Sequence, residues 1–220
     1  MLLSQSCVSD ASRLTSPFGA EDIRKANRKL LEVAMVDGFS PPVAARVYTY
    51  PHMAHYETLR LFAPDSLEAI GPALNVPPPA LNVKMNDADP RLAALLAFCK
   101  VGRMVVFSEH EMDALAAGYT EKASENGLSR TMIEASERVA ESIAKTLKPW
   151  MDEDGYIHTR TLDRYTSNPS PGHWVETSPD YGTALEPHWQ KMRPMVIPNA
   201  AFDTVPPMPP YSTDPTSAFL

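Results

Sequence analysis

The sequence predicts an all-α fold, a helical bundle with an extended Pro/Trp-rich arm at its C-terminal end. Three observations predict it. Apolar residues recur at helical spacing in segments between residues 20 and 154. One segment, Leu92 to Phe107, is apolar nearly all round, as a central helix would be. After Asp154 the periodicity vanishes, and residues 155–220 hold 11 of the 22 prolines, Trp174 and Trp189.

The elements follow in chain order. Residues 1–19 are small and polar and read as a flexible N-terminal arm. Residues 20–154 form the helical domain. Its first helix, "AEDIRKANRKLLEVAMVDG", carries Ile23, Ala26, Leu30, Val33 and Ala34 on one face and ends at Gly38. The second runs from Ser40, a suitable N-cap, to Phe62. Prolines are tolerated in its first turn, and Pro51 inside it predicts a kink. Residues 70–90 form a proline-rich connection. A long apolar helix starts near Pro90, with a break near Ser108. The last long helix runs from Ser129 to Lys148. Met132, Ser136, Val139, Ala140, Ile143 and Leu147 share a face, Thr131 and Glu134 have capping-box spacing, and Pro149 stops it. Residues 155–220 are too aromatic for plain disorder. They are expected to lie over the helices, held by Trp174 and Trp189.

Composition narrows the function classes. Of 220 residues, 44% are hydrophobic and 21% charged, which suits a globular core. Proline is abundant and glycine, at 9, is scarce, so the connections are stiff. The net charge is −7, and −6 of it falls between Glu109 and Asp154 (11 acids, 5 bases). Such a balance argues against nucleic acid and anionic membranes as partners; the acidic segment reads as a solvated face. No run is long enough to span a bilayer. Cys7 and Cys99 show no zinc spacing. The start "MLLSQSC" allows one further expectation, a trimmed lipoprotein signal with Cys7 as the acylated residue.

Few residues carry a chemical signature. His52 and His55, three apart with Glu57 nearby, can share a helix face and bind a metal, but no third ligand stands at motif spacing. "HEMDA" at His110 has alanine where a zincin helix needs its second histidine. Asp152, Glu153 and Asp154 lack the spacing of a calcium loop and read as surface charge. The stretch "NPSPGHW", Asn168 to Trp174, approaches a Pro-Ser-Gly-His phosphate- and vanadate-binding signature but for the inserted Pro171. An oxyanion pocket needs several cations with it. Arg193-Pro194 lacks a spaced upstream lysine, and Ser12-Arg13 and Ser129-Arg130 lack a spaced histidine. The stretch reads as a proline-rich turn. No catalytic, cofactor-binding or metal-binding residue is assigned.

Longer segments carry a resemblance. "VDGFSPPVAARVYTYPHMAHYETL", "DEDGYIHTRTL", "PGHWVETSPDYGTALEPHWQKMRPMVI" and "VPPMPPYSTDPTSAF" occur in an order similar to that in bacterial vanadium-dependent haloperoxidase-like proteins of the type 2 phosphatidic acid phosphatase superfamily. The resemblance spans roughly residues 28–220. It implies the N-terminal scaffold half of such an enzyme, with residues 155–220 leading towards a catalytic half. In the family that second half carries a lysine with an Arg-Pro, the Pro-Ser-Gly-His loop, and an arginine with a distal histidine. None of these matches a position here, so vanadate or phosphate is expected only in the catalytic half, and this chain alone is expected to be inactive. The resemblance leaves open a fragment, a cleaved product or a split protein, and haloperoxidase or phosphatase chemistry. It implies a periplasmic or cell-envelope setting. The expected partner is the catalytic half or a second copy of this chain. The alternative reading is a non-catalytic helical binding or interaction module of the cell envelope.

Overall fold

The computed structural model describes residues 16–199, 201–202 and 204–220. Cys7 and most of the expected N-terminal arm lie outside them. Helices α1 (Ala20–Val36), α2 (Pro41–Phe62), α3 (Gly71–Leu74), α4 (Pro90–Arg103), α5 (Glu109–Glu125), α6 (Arg130–Asp152) and α7 (Tyr156–Thr159) follow in order, and no strand occurs among the described residues. The fold is all-α, with five long helices. No described helix is long and apolar enough to cross a membrane.

Helix α4 is the centre, packed on α1, α2, α5 and α6. Every residue from Leu92 to Cys99 is buried, as are Val101 and Gly102. The apolar character all round that segment therefore has a direct cause: it has neighbours on every side. Its start is fixed by Asp89, whose side chain accepts from the Leu92 amide at 2.8 Å. Ser136 of α6 accepts from the Asp89 amide at 2.9 Å. Arg91 donates to the Phe18 carbonyl at 2.5 Å, and Phe18 is buried in the core. Ser16 also donates to the Asp89 side chain at 3.0 Å, so the chain is anchored already at residue 16, inside the stretch expected to be a loose arm. The burial expected through Phe107 stops short of it. Past the end of α4 at Arg103, Val105 and Val106 are still buried, but Met104 is 41% and Phe107 73% exposed.

The break expected near Ser108 is where α5 begins. Its cap comes from another helix end: Asp37, just after α1, accepts from the Phe107 amide (2.7 Å), the Ser108 amide (3.1 Å) and the Ser108 hydroxyl (2.5 Å). Ser40 starts α2, but its hydroxyl is drawn away to Glu186 of the arm at 3.1 Å and makes no bond to its own helix. Pro51 lies inside α2 and is buried there.

Two expectations for α6 are corrected. Ser129, not Thr131, caps it, accepting from the Met132 amide at 3.2 Å. Pro149 does not stop it; the helix continues to Asp152. Leu147, Trp150, Met151 and Asp154 are all buried and continue the i, i+3, i+4, i+7 face past the proline. Packing of that face outweighs the one backbone bond that Pro149 removes.

Beyond α7 a single short 3-10 turn, Trp189–Lys191, occurs among the described residues. Trp189 and Met195 pack against the helical core. Trp174 does not, contrary to expectation. It is 50% exposed and meets Tyr165 edge-on within the arm. The arm is also tied to the helices by Glu186, which accepts from Ser40 at 3.1 Å and pairs with Arg160 just after α7, and by the Arg193 amide, which donates to the Asp154 carbonyl at 2.9 Å.

Candidate functional site

The "NPSPGHW" stretch folds as an exposed turn. Asn168 accepts from the Ser170 amide at 3.0 Å, and the His173 amide donates to the Ser170 carbonyl at 3.2 Å. Gly172 has φ +86°, a conformation that side chains rarely adopt. A Cβ there would lie 2.9 Å from the Tyr211 ring. So the glycine serves backbone shape and a close aromatic contact. The neighbours of this turn are Tyr165 and the acid Glu176, which is bonded to Ser167. Among the described residues no ion pair involves His173. The turn therefore does not fit vanadate or phosphate, which need converging cations.

His52 and His55 serve α2. His52 Nδ1 lies 2.8 Å from the Tyr48 carbonyl, and its ring meets Phe98 edge-on. Burial, with the neighbouring His52, pulls His55 down to about 4. Glu57 is occupied: it accepts from the amides of Ile70 (2.7 Å) and Gly71 (3.3 Å) and pairs with Arg60 at 2.7 Å. It fixes the connection onto α2. Among the described residues, no three His, Cys, Asp or Glu side chains come together to hold a metal.

The acidic cluster at the end of α6 is where the sequence misleads most. Asp152 pairs with Lys148 at the surface, but Asp154 is only 1% exposed. It accepts from Tyr50 Oη (2.7 Å), Arg46 Nε (2.5 Å) and the Tyr156 amide (2.8 Å). Burial first, then the bond to Asp154, pushes the Tyr50 phenol well above its ordinary value, so it stays a neutral donor. The Arg46 guanidinium also lies 5.0 Å and 4.7 Å from the centroids of the Tyr50 and Tyr156 rings. One carboxylate thus joins α2, α6, α7 and, through its own carbonyl, the arm at Arg193. The only sequence signal is that Asp154 stands at the next step of the buried face of α6.

Beside this junction a cavity of about 460 Å³ opens between α2 and residues 189–197. Its walls include Arg46, Tyr50, Trp189, Met192, Arg193 and Met195. Arg193 lies 3.8 Å from the centroid of the Trp150 ring. Its Nε and Nη2 are buried and have no hydrogen-bond partner among the described residues. Arg193-Pro194 lacks the spaced upstream lysine of a catalytic anion motif. The structure sets this arginine instead at the foot of the arm.

A scan against protein-family models and a search of curated proteins gave no match. Among solved structures, the chain is similar to one described as the crystal structure of the first bacterial vanadium-dependent iodoperoxidase, with 32% identity and a TM-score of 0.78. The alignment covers 90% of this chain and 48% of that one, so the chain spans about half the length of the structure it matches. The helices described above form a haloperoxidase-like fold.

Proposed function

We propose that this chain is the N-terminal scaffold half of a vanadium haloperoxidase-like or acid phosphatase-like enzyme. It packs against a catalytic half and helps wall the entrance to that half's oxyanion pocket. The observation that carries this reading is the match in fold over 90% of this chain to about half of a vanadium iodoperoxidase. A second observation supports it. Beyond Met195 the arm presents Val196, Phe202, Val205, Met208 and Tyr211, each at least half exposed. Such a run of apolar side chains is suited to burial against another protein surface.

The catalytic half supplies the lysine, the Arg-Pro, the Pro-Ser-Gly-His loop and the distal histidine. Vanadate and phosphate are both tetrahedral oxyanions, so one such pocket serves halide oxidation by peroxide or phosphate-ester hydrolysis. This chain's share is mechanical: the Asp154 junction fixes the direction in which the arm leaves the helices. A periplasmic or cell-envelope setting belongs to the same proposal.

Intact mass and native mass spectrometry of the protein from its natural source test the reading. The expected result is a product longer than 220 residues, or this chain bound to one bearing those motifs. The assembled protein should turn over a halide or a phosphate ester, and the isolated chain should do neither. A natural 24.3 kDa product without any such partner would sink the proposal.

A further inference from the structure

We propose that the cavity between α2 and residues 189–197 binds a small organic acid, its carboxylate on Arg193 and its apolar stem against Trp189, Met192 and Met195. The inference stands apart from the proposed scaffold role, because every residue in it belongs to this chain.

Charge comes first. The site holds two guanidinium groups and one carboxylate. Asp154 pairs with Arg46. Among the described residues Arg193 is in no ion pair, so one positive charge remains beside the cavity. A single excess charge matches a monoanion. A dianion such as a phosphate monoester would need more cations than the site provides.

Hydrogen bonding comes next. Nε and Nη2 form one edge of the guanidinium, with two parallel N–H groups. That edge suits the two oxygens of one carboxylate. Both atoms are buried without a partner among the described residues. Buried donors are nearly always satisfied in native proteins, and a gap of this kind points to a missing group. A neutral apolar ligand would leave it open. Stacking on Trp150 holds the plane of the guanidinium but makes no hydrogen bond.

The walls decide the rest of the ligand. Trp189, Met192, Pro194, Met195 and Ile197 are apolar. The volume, about 460 Å³, lies in the range of small-molecule sites, roughly 300–1,000 Å³. Met192 and Met195 are unbranched and flexible, so this part of the wall can adapt to a ligand. An acid with a short hydrocarbon stem satisfies both the charge and the walls.

The test uses the purified 220-residue chain carrying Trp174→Phe, which leaves Trp150 and Trp189 as fluorescent reporters beside the cavity. Hexanoate should give a saturable change; hexanol and hexylamine at the same concentrations should give none. Arg193→Gln should weaken hexanoate about tenfold or more, whereas Arg130→Gln, at the exposed start of α6, should leave it unchanged. Ala45→Phe fills the cavity from the exposed side of α2 without touching Arg193, and should also block binding. That variant keeps the test decisive if Arg193→Gln frees the arm. Absence of a saturable response, equal affinity for hexanol, or full hexanoate binding by Ala45→Phe would each overturn the proposal.

Discussion

Tyr50 on α2 donates its hydroxyl to Asp154 across 104 residues of sequence, at 2.7 Å, and the carboxylate that receives it is almost wholly buried. Arg46 reaches the same oxygen. Carboxylate, phenol and guanidinium form one unit, and removing the carboxylate leaves the largely buried Arg46 side chain without its partner. Breaking a buried pair from one side costs about 3–5 kcal/mol. Asp154→Ala should therefore lose that much in urea unfolding, and Tyr50→Phe about 1 kcal/mol. In the Asp154→Ala background, Tyr50→Phe should cost almost nothing more, since its acceptor is gone. Additive losses would show that the two residues act separately.

Much of the bundle is legible in the sequence. Ala26, Leu30, Val33 and Ala34 on α1, and Val139, Ala140, Ile143 and Leu147 on α6, are buried as their spacing predicts. Those faces are local properties of a helix. What escaped reading is non-local. Asp37 caps a helix 70 residues away, and Asp154 finds its partners on α2. An acid in a run of acids looks like surface until the partner is known. Pro149 misled for another reason: the cost of a proline is local, while the packing that offsets it belongs to the assembled bundle.

Acid should loosen α5 before the rest of the bundle. Burial would raise both Asp22 and Asp37, but bonds from Lys122 and the Gly19 amide hold Asp22 below its ordinary 3.8, and bonds from Ser108 and Phe107 do the same for Asp37. A carboxyl depressed in the folded state stabilises above its unfolded value and loses that contribution as pH falls through the folded value. Both ties join α1 to α5. Amide protection factors across Glu109–Glu125, compared at pH 5 and at pH 3, should fall more than across α4. In Asp37→Asn the N-terminal part of α5 should already exchange faster at pH 5. Uniform acid protection across α4 and α5 would contradict the assignment.

Cys99 should be chemically silent in the native chain. Burial, with a smaller effect from Asp113, pushes its thiol up to about 12, and the side chain lies inside the core. At pH 8 almost none is thiolate, and reagent cannot reach it. Peptide mapping after iodoacetamide should find Cys99 unmodified in the folded protein and fully alkylated in denaturant. Native-state alkylation at a rate near that of the denatured chain would mean that α4 opens readily.

The two arm tryptophans should differ. Trp189 packs against the core, while Trp174 is half exposed and touches Tyr165. Trp189→Ala should free residues around 186–197 to protease at a cost below the ~3–5 kcal/mol of a fully buried tryptophan. Trp174→Ala should affect only the turn around it. Equal release of the arm by both variants would mean that Trp174 contributes to docking after all.

Gly172, the glycine of the "NPSPGHW" turn, should not tolerate a side chain. Its φ of +86° disfavours any side chain, and Tyr211 lies where a Cβ would go. Tyr211 meets Phe219 edge-on at 5.2 Å, so this one contact links the turn to the end of the chain. Gly172→Ala should strain the turn by roughly 1–3 kcal/mol and push Tyr211 away. Proteolysis should then clip the segment after residue 204 sooner, with helical circular dichroism unchanged. Gly182→Ala is the matched control. Nothing lies within 4 Å of a Cβ at Gly182, and its φ is not positive. If the two variants are cut at the same rate, Tyr211 does not hold the terminal segment, and the glycine is there for the turn alone.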